Sequence, residues 1–166
     1  MPRLLWDASA LAKHYAPEIG SAVVNTLFSI SPALPMTTTY IGYAETCAIL
    51  RRKRNQGAIT ASAFMIARSL LDSEAFHYGH FDLMTIDDTA VLAGIALADT
   101  HNINSTDAAI LTVYLDFSRS LSITDPACVL VASDRRLVRA AAAEGMQTLN
   151  PEALLASDVS AIIASL

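Results

Sequence analysis

Short apolar runs bounded by turn residues alternate along this chain with longer segments whose apolar side chains recur every three or four positions. Such alternation predicts α/β architecture with a largely parallel sheet. Residues 4–7 read as a first strand running directly into an Ala/Leu-rich helix over 8–15, with Pro17 breaking the pattern before a second helix near 20–30. Pro32 and Pro35 mark a loop, and the β-branched threonines of 34–39 predict the next strand. Helices are expected over 40–54, closed by Gly57, and over 60–76, where Phe64, Ala67, Leu70 and Leu71 keep the helical period. A strand over 81–86 leads through Asp87 and Asp88 into a helix whose Val91, Leu92, Ile95 and Ala98 form an apolar stripe. Ser105, Thr106 and Asp107 predict the start of another helix, which carries Ile110, Leu111, Tyr114 and Leu115 inward and frays into a polar loop reaching Pro126. Residues 128–132 form the clearest strand, followed by a helix over 134–144 that Gly145 ends, a short strand over 146–149 and a surface helix or tail over 152–166.

At 166 residues the chain fits one domain, and 53% apolar against 16% charged residues supply a sizeable core. The net charge of -5 excludes a protein that coats nucleic acid through bulk charge, so any such contact needs a local basic patch. Cys47 and Cys128 are far apart, with neither a disulfide framework nor thiolate zinc spacing, which suits a reducing cytoplasm. The charge at Asp7 interrupts the opening apolar run before it reaches secretory-signal length, and no uninterrupted apolar stretch approaches the roughly 20 residues a membrane span needs. A cytoplasmic protein with no membrane partner is therefore expected.

In an open parallel sheet, the residues just beyond the carboxyl ends of the strands converge on one crevice. Asp7 and Asp134 each end an apolar strand and open a helix, positions that a simple N-cap also explains. Glu45 sits on a mostly apolar helix face between Ile41 and Ile49, so its charge must find a cation, be protonated or lie at the rim. Arg52, two turns away on that face, is a weak candidate partner. Asp107 lies in a helix start, where the helix dipole alone accommodates an acid. What distinguishes the set is that four acids occupy the openings of four different helices. If those openings converge, like charges ~4 Å apart would cost about 4 kcal/mol per pair at an effective dielectric near 20, which bound cations would offset. Oxygen-only ligands suit Mg²⁺ or Mn²⁺, ions that activate water and stabilise a leaving oxygen in phosphodiester hydrolysis.

The residues Leu5-Trp6-Asp7-Ala8-Ser9-Ala10-Leu11-Ala12-Lys13-His14-Tyr15, followed by Pro17-Glu18-Ile19-Gly20-Ser21, resemble the opening of PIN-domain ribonucleases of the VapC toxin type. Three further blocks agree in order: Tyr43-Ala44-Glu45, Ser105-Thr106-Asp107-Ala108-Ala109, and Ala132-Ser133-Asp134-Arg135-Arg136-Leu137 continuing to Asn150-Pro151. The resemblance implies a three-layer αβα sandwich over residues 1–151, with a mainly parallel sheet of four to five strands that presents Asp7, Glu45, Asp107 and Asp134 to Mg²⁺ or Mn²⁺. It further implies metal-dependent endoribonuclease activity on an RNA substrate, Ser9 and Ser133 orienting the carboxylates, a homodimer, and a small antitoxin as partner. The segment 117–127 departs from the family by its length.

Seven of the 11 cations follow two of these acids: Arg51, Arg52, Lys53 and Arg54 after Glu45, and Arg135, Arg136 and Arg139 after Asp134. Helix-end solvation explains the first cluster as well as phosphate binding does; Arg135 and Arg136 sit where the dipole disfavours them, which favours an RNA contact for Arg51, Arg52, Arg135 or Arg136. His77 and His80 lack a third zinc ligand, Asp87 and Asp88 cap a helix, and Asp125 reads as turn chemistry with an outer role at the site left open. No phosphate-binding glycine motif occurs. The competing readings are a non-catalytic PIN-like module that binds RNA or protein, and a metal-dependent phosphatase, which Ser9 disfavours because a second aspartate is wanted there.

Overall fold

The computed structural model describes residues 2–30, 34–122 and 126–165. Strand β1 (Arg3–Trp6) leads into α1 (Ala8–Tyr15) and α2 (Ser21–Ile30); β2 (Met36–Thr39) leads into α3 (Tyr40–Asn55) and α4 (Ala61–Asp72). A π-helical segment, Ser73–His77, joins α4 to β3 (Phe81–Met84), after which come α5 (Asp88–His101) and α6 (Ser105–Ser120). Strand β4 (Cys128–Val131), α7 (Arg135–Ala143), β5 (Gln147–Leu149) and α8 (Val159–Ser165) complete the chain.

The five strands are all parallel, in the order β3-β2-β1-β4-β5. Because both faces of the central strands are covered, residues 4–6 of β1 and all of β4 are continuously apolar, and successive side chains enter opposite cores. Leu4 and Trp6 of β1 join Val129 and Val131 of β4 in a core with α1, α2, α3, α4 and α8. Leu5 and Leu130 join Leu111, Tyr114, Leu137 and Ala141 of α6 and α7 on the other side. The αβα arrangement and the five-stranded sheet follow the sequence expectation, and among the described residues no helix is long and apolar enough to cross a membrane.

Three local expectations change. The helix over 60–76 is α only to Asp72; the wider π turn buries Glu74, which accepts a hydrogen bond from the Tyr15 hydroxyl at 2.6 Å. The stripe of Val91, Leu92 and Ile95 faces solvent rather than the core, because α5 packs against α6 through its small face of Ala90 and Gly94. The fraying expected in 117–127 is absent from its first residues, since α6 stays helical through Ser120; Asp125 lies outside the described residues.

The expected tail after residue 151 contributes Val159 and Ile163 to the core beside α2. An ionic tie holds its start: the buried Lys13 ammonium donates to Glu18 at 2.9 Å and to Glu152 at 2.8 Å, and Glu18 also accepts from Lys53.

Candidate functional site

The strand order reverses beside β1: the chain moves from β1 outward to β2 and β3, then returns to place β4 on the opposite side of β1. A crevice at such a switch point lies beyond the carboxyl ends of the two strands. Asp7 immediately follows β1, and Asp134 follows β4 after two residues. Both are N-caps: Asp7 accepts from the Ser9 amide at 2.8 Å, and Asp134 from the amides of Arg136 at 2.7 Å and Leu137 at 3.2 Å. The capping role weighed against a site role is real, and each residue also lines the recess.

A recess of about 280 Å³ is lined by Asp7, Ser9, Glu45, Arg52, Asn104, Asp107 and Asp134, with Ala8, Ala48 and Ile49 supplying apolar wall. All four acids singled out in the sequence therefore meet, from the ends of β1 and β4, the first half of α3 and the start of α6. Tight packing carries α3 into place: the Gly42 amide donates to Thr39, Thr38 donates to the Trp6 carbonyl, and a Cβ on Gly42 would stand 2.7 Å from the Thr38 hydroxyl. Tyr114 of α6 donates to the same Trp6 carbonyl at 2.8 Å, anchoring α6 to the end of β1.

The acids feel one another. Asp7 is 4% exposed; burial lifts its carboxyl above the ordinary value, hydrogen bonds from Ser9 oppose the lift, and the Asp134 charge adds to it. Burial and then the Asp7 charge raise Glu45. Asp107 is pushed up to about 7, first by burial and then by the charges of Asp7, Asp134 and Glu45, with Arg136 pulling the other way. Glu45 makes no side-chain hydrogen bond or ion pair among the described residues, and the pairing with Arg52 that its two-turn separation disfavoured does not form.

Ser9 does more than orient one carboxylate. Its hydroxyl donates to Asp7 and accepts the amides of Ser133 at 2.9 Å and Asp134 at 3.1 Å, locking the two strand ends together. Ser133 contributes through its backbone; its buried hydroxyl reaches no carboxylate and has no partner among the described residues. Asn104 was missed in the sequence reading. It, and not Ser105 or Thr106, caps α6: it accepts from the Asp107 amide at 2.8 Å and donates to the Asp107 carboxylate at 2.7 Å. The spacing of an Asx residue three positions before an acid was the available signal. Of the basic candidates, Arg52 lines the recess and Arg136 acts on Asp107, while Arg51 and Arg135 are exposed outside it.

Every polar donor to this recess is oxygen, an amide or the Arg52 guanidinium, with no His or Cys in the lining. That chemistry fits a hard divalent cation such as Mg²⁺ or Mn²⁺. Among the described residues no three such side chains are already closed into a ligand set for one ion, so the carboxylates share a recess without being drawn together.

No protein-family model matches the sequence, and no curated protein matches it. Solved structures do. PAE2754 from Pyrobaculum aerophilum superposes with a TM-score of 0.59 at 16% identity, over 99% of this chain and 97% of that one. FitAB bound to an IR36 DNA fragment gives 0.62 at 16% identity, over 92% and 97%. A toxin–antitoxin complex from Klebsiella pneumoniae gives 0.51 at 13% identity, over 89% and 97%. The chain has the PIN-like three-layer fold.

Proposed function

We propose that this protein is a Mg²⁺- or Mn²⁺-dependent endoribonuclease and the toxin of a toxin–antitoxin pair. The observation that carries the reading is the meeting of Asp7, Glu45, Asp107 and Asp134 in one recess, where Asp107 is raised to about 7 by burial and then by the other three charges. Such repulsion is what a divalent cation relieves. Likeness of fold to a protein of a toxin–antitoxin complex supports the biological role.

The four carboxylates would hold the ion or ions, which when bound supply activated water and stabilise the leaving oxygen of the phosphodiester. Ser9 fixes the Asp7 carboxylate relative to the β4 end, and Asn104 fixes Asp107. Arg52, on the recess wall, meets the substrate phosphate. On this reading the protein works in the cytoplasm, forms a homodimer and is held inactive by a small antitoxin.

The test incubates purified protein with structured and unstructured RNA in Mg²⁺, Mn²⁺ or EDTA, beside Asp7→Asn and Asp134→Asn. Metal-dependent cleavage lost in both variants is expected. Cleavage persisting in both overturns the site; RNA bound but never cut assigns the non-catalytic module instead.

A further inference from the structure

A second recess adjoins the first. It measures about 470 Å³ and shares four residues with the carboxylate recess: Ser9, Ile49, Arg52 and Asp134. Its remaining lining comes from the second half of α3 (Lys53, Gln56) and Ala58 beyond it, from Ser133, and from the tie of Lys13, Glu18 and Glu152.

The charges of this recess are unequally committed. Lys13 is bound to Glu18 and Glu152, Lys53 to Glu18, and Asp134 caps α7. Among the described residues, Arg52 is the lining cation with no ion pair, and it stands on the wall common to both recesses. The Gln56 amide makes no side-chain hydrogen bond, and the Ser133 hydroxyl is buried without a partner. Ile49 offers apolar surface beside these polar groups.

We propose that this second recess is a nucleotide subsite, taking one unstacked nucleotide of single-stranded RNA next to the cleaved bond. The inference rests on the ribonuclease reading and extends it. Arg52 contacts the phosphate that joins the two recesses, while Gln56 hydrogen-bonds the base or sugar lying against Ile49. The volume falls within the roughly 300–1,000 Å³ of small-ligand sites, and a base confined there is splayed from its neighbours, which a duplex does not allow.

The test measures anisotropy of a 5′-fluorescein mixed-sequence RNA hexanucleotide, and of a duplex of equal length, on the full chain in EDTA across a salt series. Arg52→Ala is expected to weaken hexanucleotide binding about tenfold and to flatten the salt dependence by about one phosphate contact. Gln56→Ala weakens it about three- to tenfold with the salt slope unchanged, and Arg51→Ala, exposed away from the recess, stays within about twofold of the parent. These side chains are exposed, so unchanged melting midpoints will establish that the variants fold. The subsite is overturned if the hexanucleotide does not bind, if the duplex binds equally well, if Gln56→Ala binds like the parent, or if Arg51→Ala costs as much as Arg52→Ala. Repeating the experiment with Mn²⁺ separates the two claims. RNA that is bound in this variant-sensitive way but stays intact retains the subsite and removes the nuclease; RNA that is cut with indifference to both variants does the reverse.

Discussion

The Ser9 hydroxyl accepts the backbone amide of Asp134 at 3.1 Å across 125 residues of sequence. The same oxygen accepts the Ser133 amide and donates to Asp7, so one small side chain sets the spacing of two acids at the ends of adjacent strands. Ser9→Ala leaves two amides without their acceptor and takes the hydroxyl donor from Asp7, which keeps the backbone amide of residue 9. A stability loss of about 1–3 kcal/mol is expected by chemical denaturation, with a ten- to hundredfold fall in metal-dependent cleavage, typical of a lost ligand-orienting bond. Ser133→Ala removes a hydroxyl that has no partner and should leave the denaturation midpoint unchanged or higher. Equal losses in the two variants would show that the hydroxyl of Ser9 has no special role.

Together with Asp7 and Glu45, whose carboxyls are raised as well, Asp107 shapes the pH response of the metal-free protein. Its pKa is about 7 in the fold, raised from 3.8, so between those values the folded state binds more protons than the unfolded one. Stability is therefore fully present below about pH 4 as far as this group is concerned, and is lost as pH climbs toward and through 7. The carboxyls of Glu18 and Glu74 are lowered and act only at more acidic pH. In EDTA the melting midpoint should fall as pH rises from 5.5 to 8, and Asp107→Asn should reduce that slope while raising the midpoint at pH 8. Millimolar Mg²⁺ or Mn²⁺ should restore the parent at pH 8 by binding the folded state, and should do little for Asp107→Asn. An absence of any metal-induced shift in the parent would count against the site.

The order of elements, the parallel sheet and the four convergent acids were legible because each rests on a local pattern. Apolar runs such as residues 128–131 admit a doubly buried strand, and an acid at the end of such a run stands at the crevice wherever the sheet is parallel. What the pattern hid depends on partners distant in sequence. Periodicity shows that Val91, Leu92 and Ile95 share a face but not that α5 would turn that face outward and pack through Gly94, since an apolar stripe and a small-residue stripe are both regular. The π turn at Ser73–His77 buries Glu74 under Tyr15, a contact no local preference encodes. Nor could composition reveal that the hydroxyl of Ser133 is idle while its amide is bound.

Lys13 and its two carboxylates allow a test of which half of a buried ion pair is the costly one to strand. The Lys13 side chain is 3% exposed, whereas Glu18 and Glu152 keep 34% and 36%. Lys13→Met leaves behind carboxylates that water still reaches, and Glu18 retains Lys53, so a modest loss of about 1–2 kcal/mol is expected. Glu18→Gln with Glu152→Gln strands a buried ammonium and should cost about 3–5 kcal/mol. Urea denaturation of both variants at pH 7 decides this; a larger loss in Lys13→Met would mean that the carboxylates are the poorly solvated members.

Gly94 links the outer helix to the site. A Cβ at this position would lie 3.0 Å from the Ala109 amide nitrogen and 3.1 Å from the Ala108 carbonyl carbon, backbone atoms that cannot rotate aside. Those residues directly follow Asp107, so separating α5 from α6 shifts the start of α6 on which that carboxylate is mounted. Gly94→Ala gains about 1 kcal/mol of helix propensity, but overpacking of about 1–3 kcal/mol opposes it. A small net loss of stability is expected, together with a clear fall in the Mn²⁺-induced melting shift. Leu92→Ala, on the exposed stripe of the same helix, should leave both measurements unchanged in the monomer. If Leu92→Ala instead costs as much as Gly94→Ala, the stripe is covered in solution, and sedimentation of the parent and this variant would identify a second copy as the cover. If Gly94→Ala keeps the full metal shift, the seating of α6 against α5 does not govern where Asp107 stands.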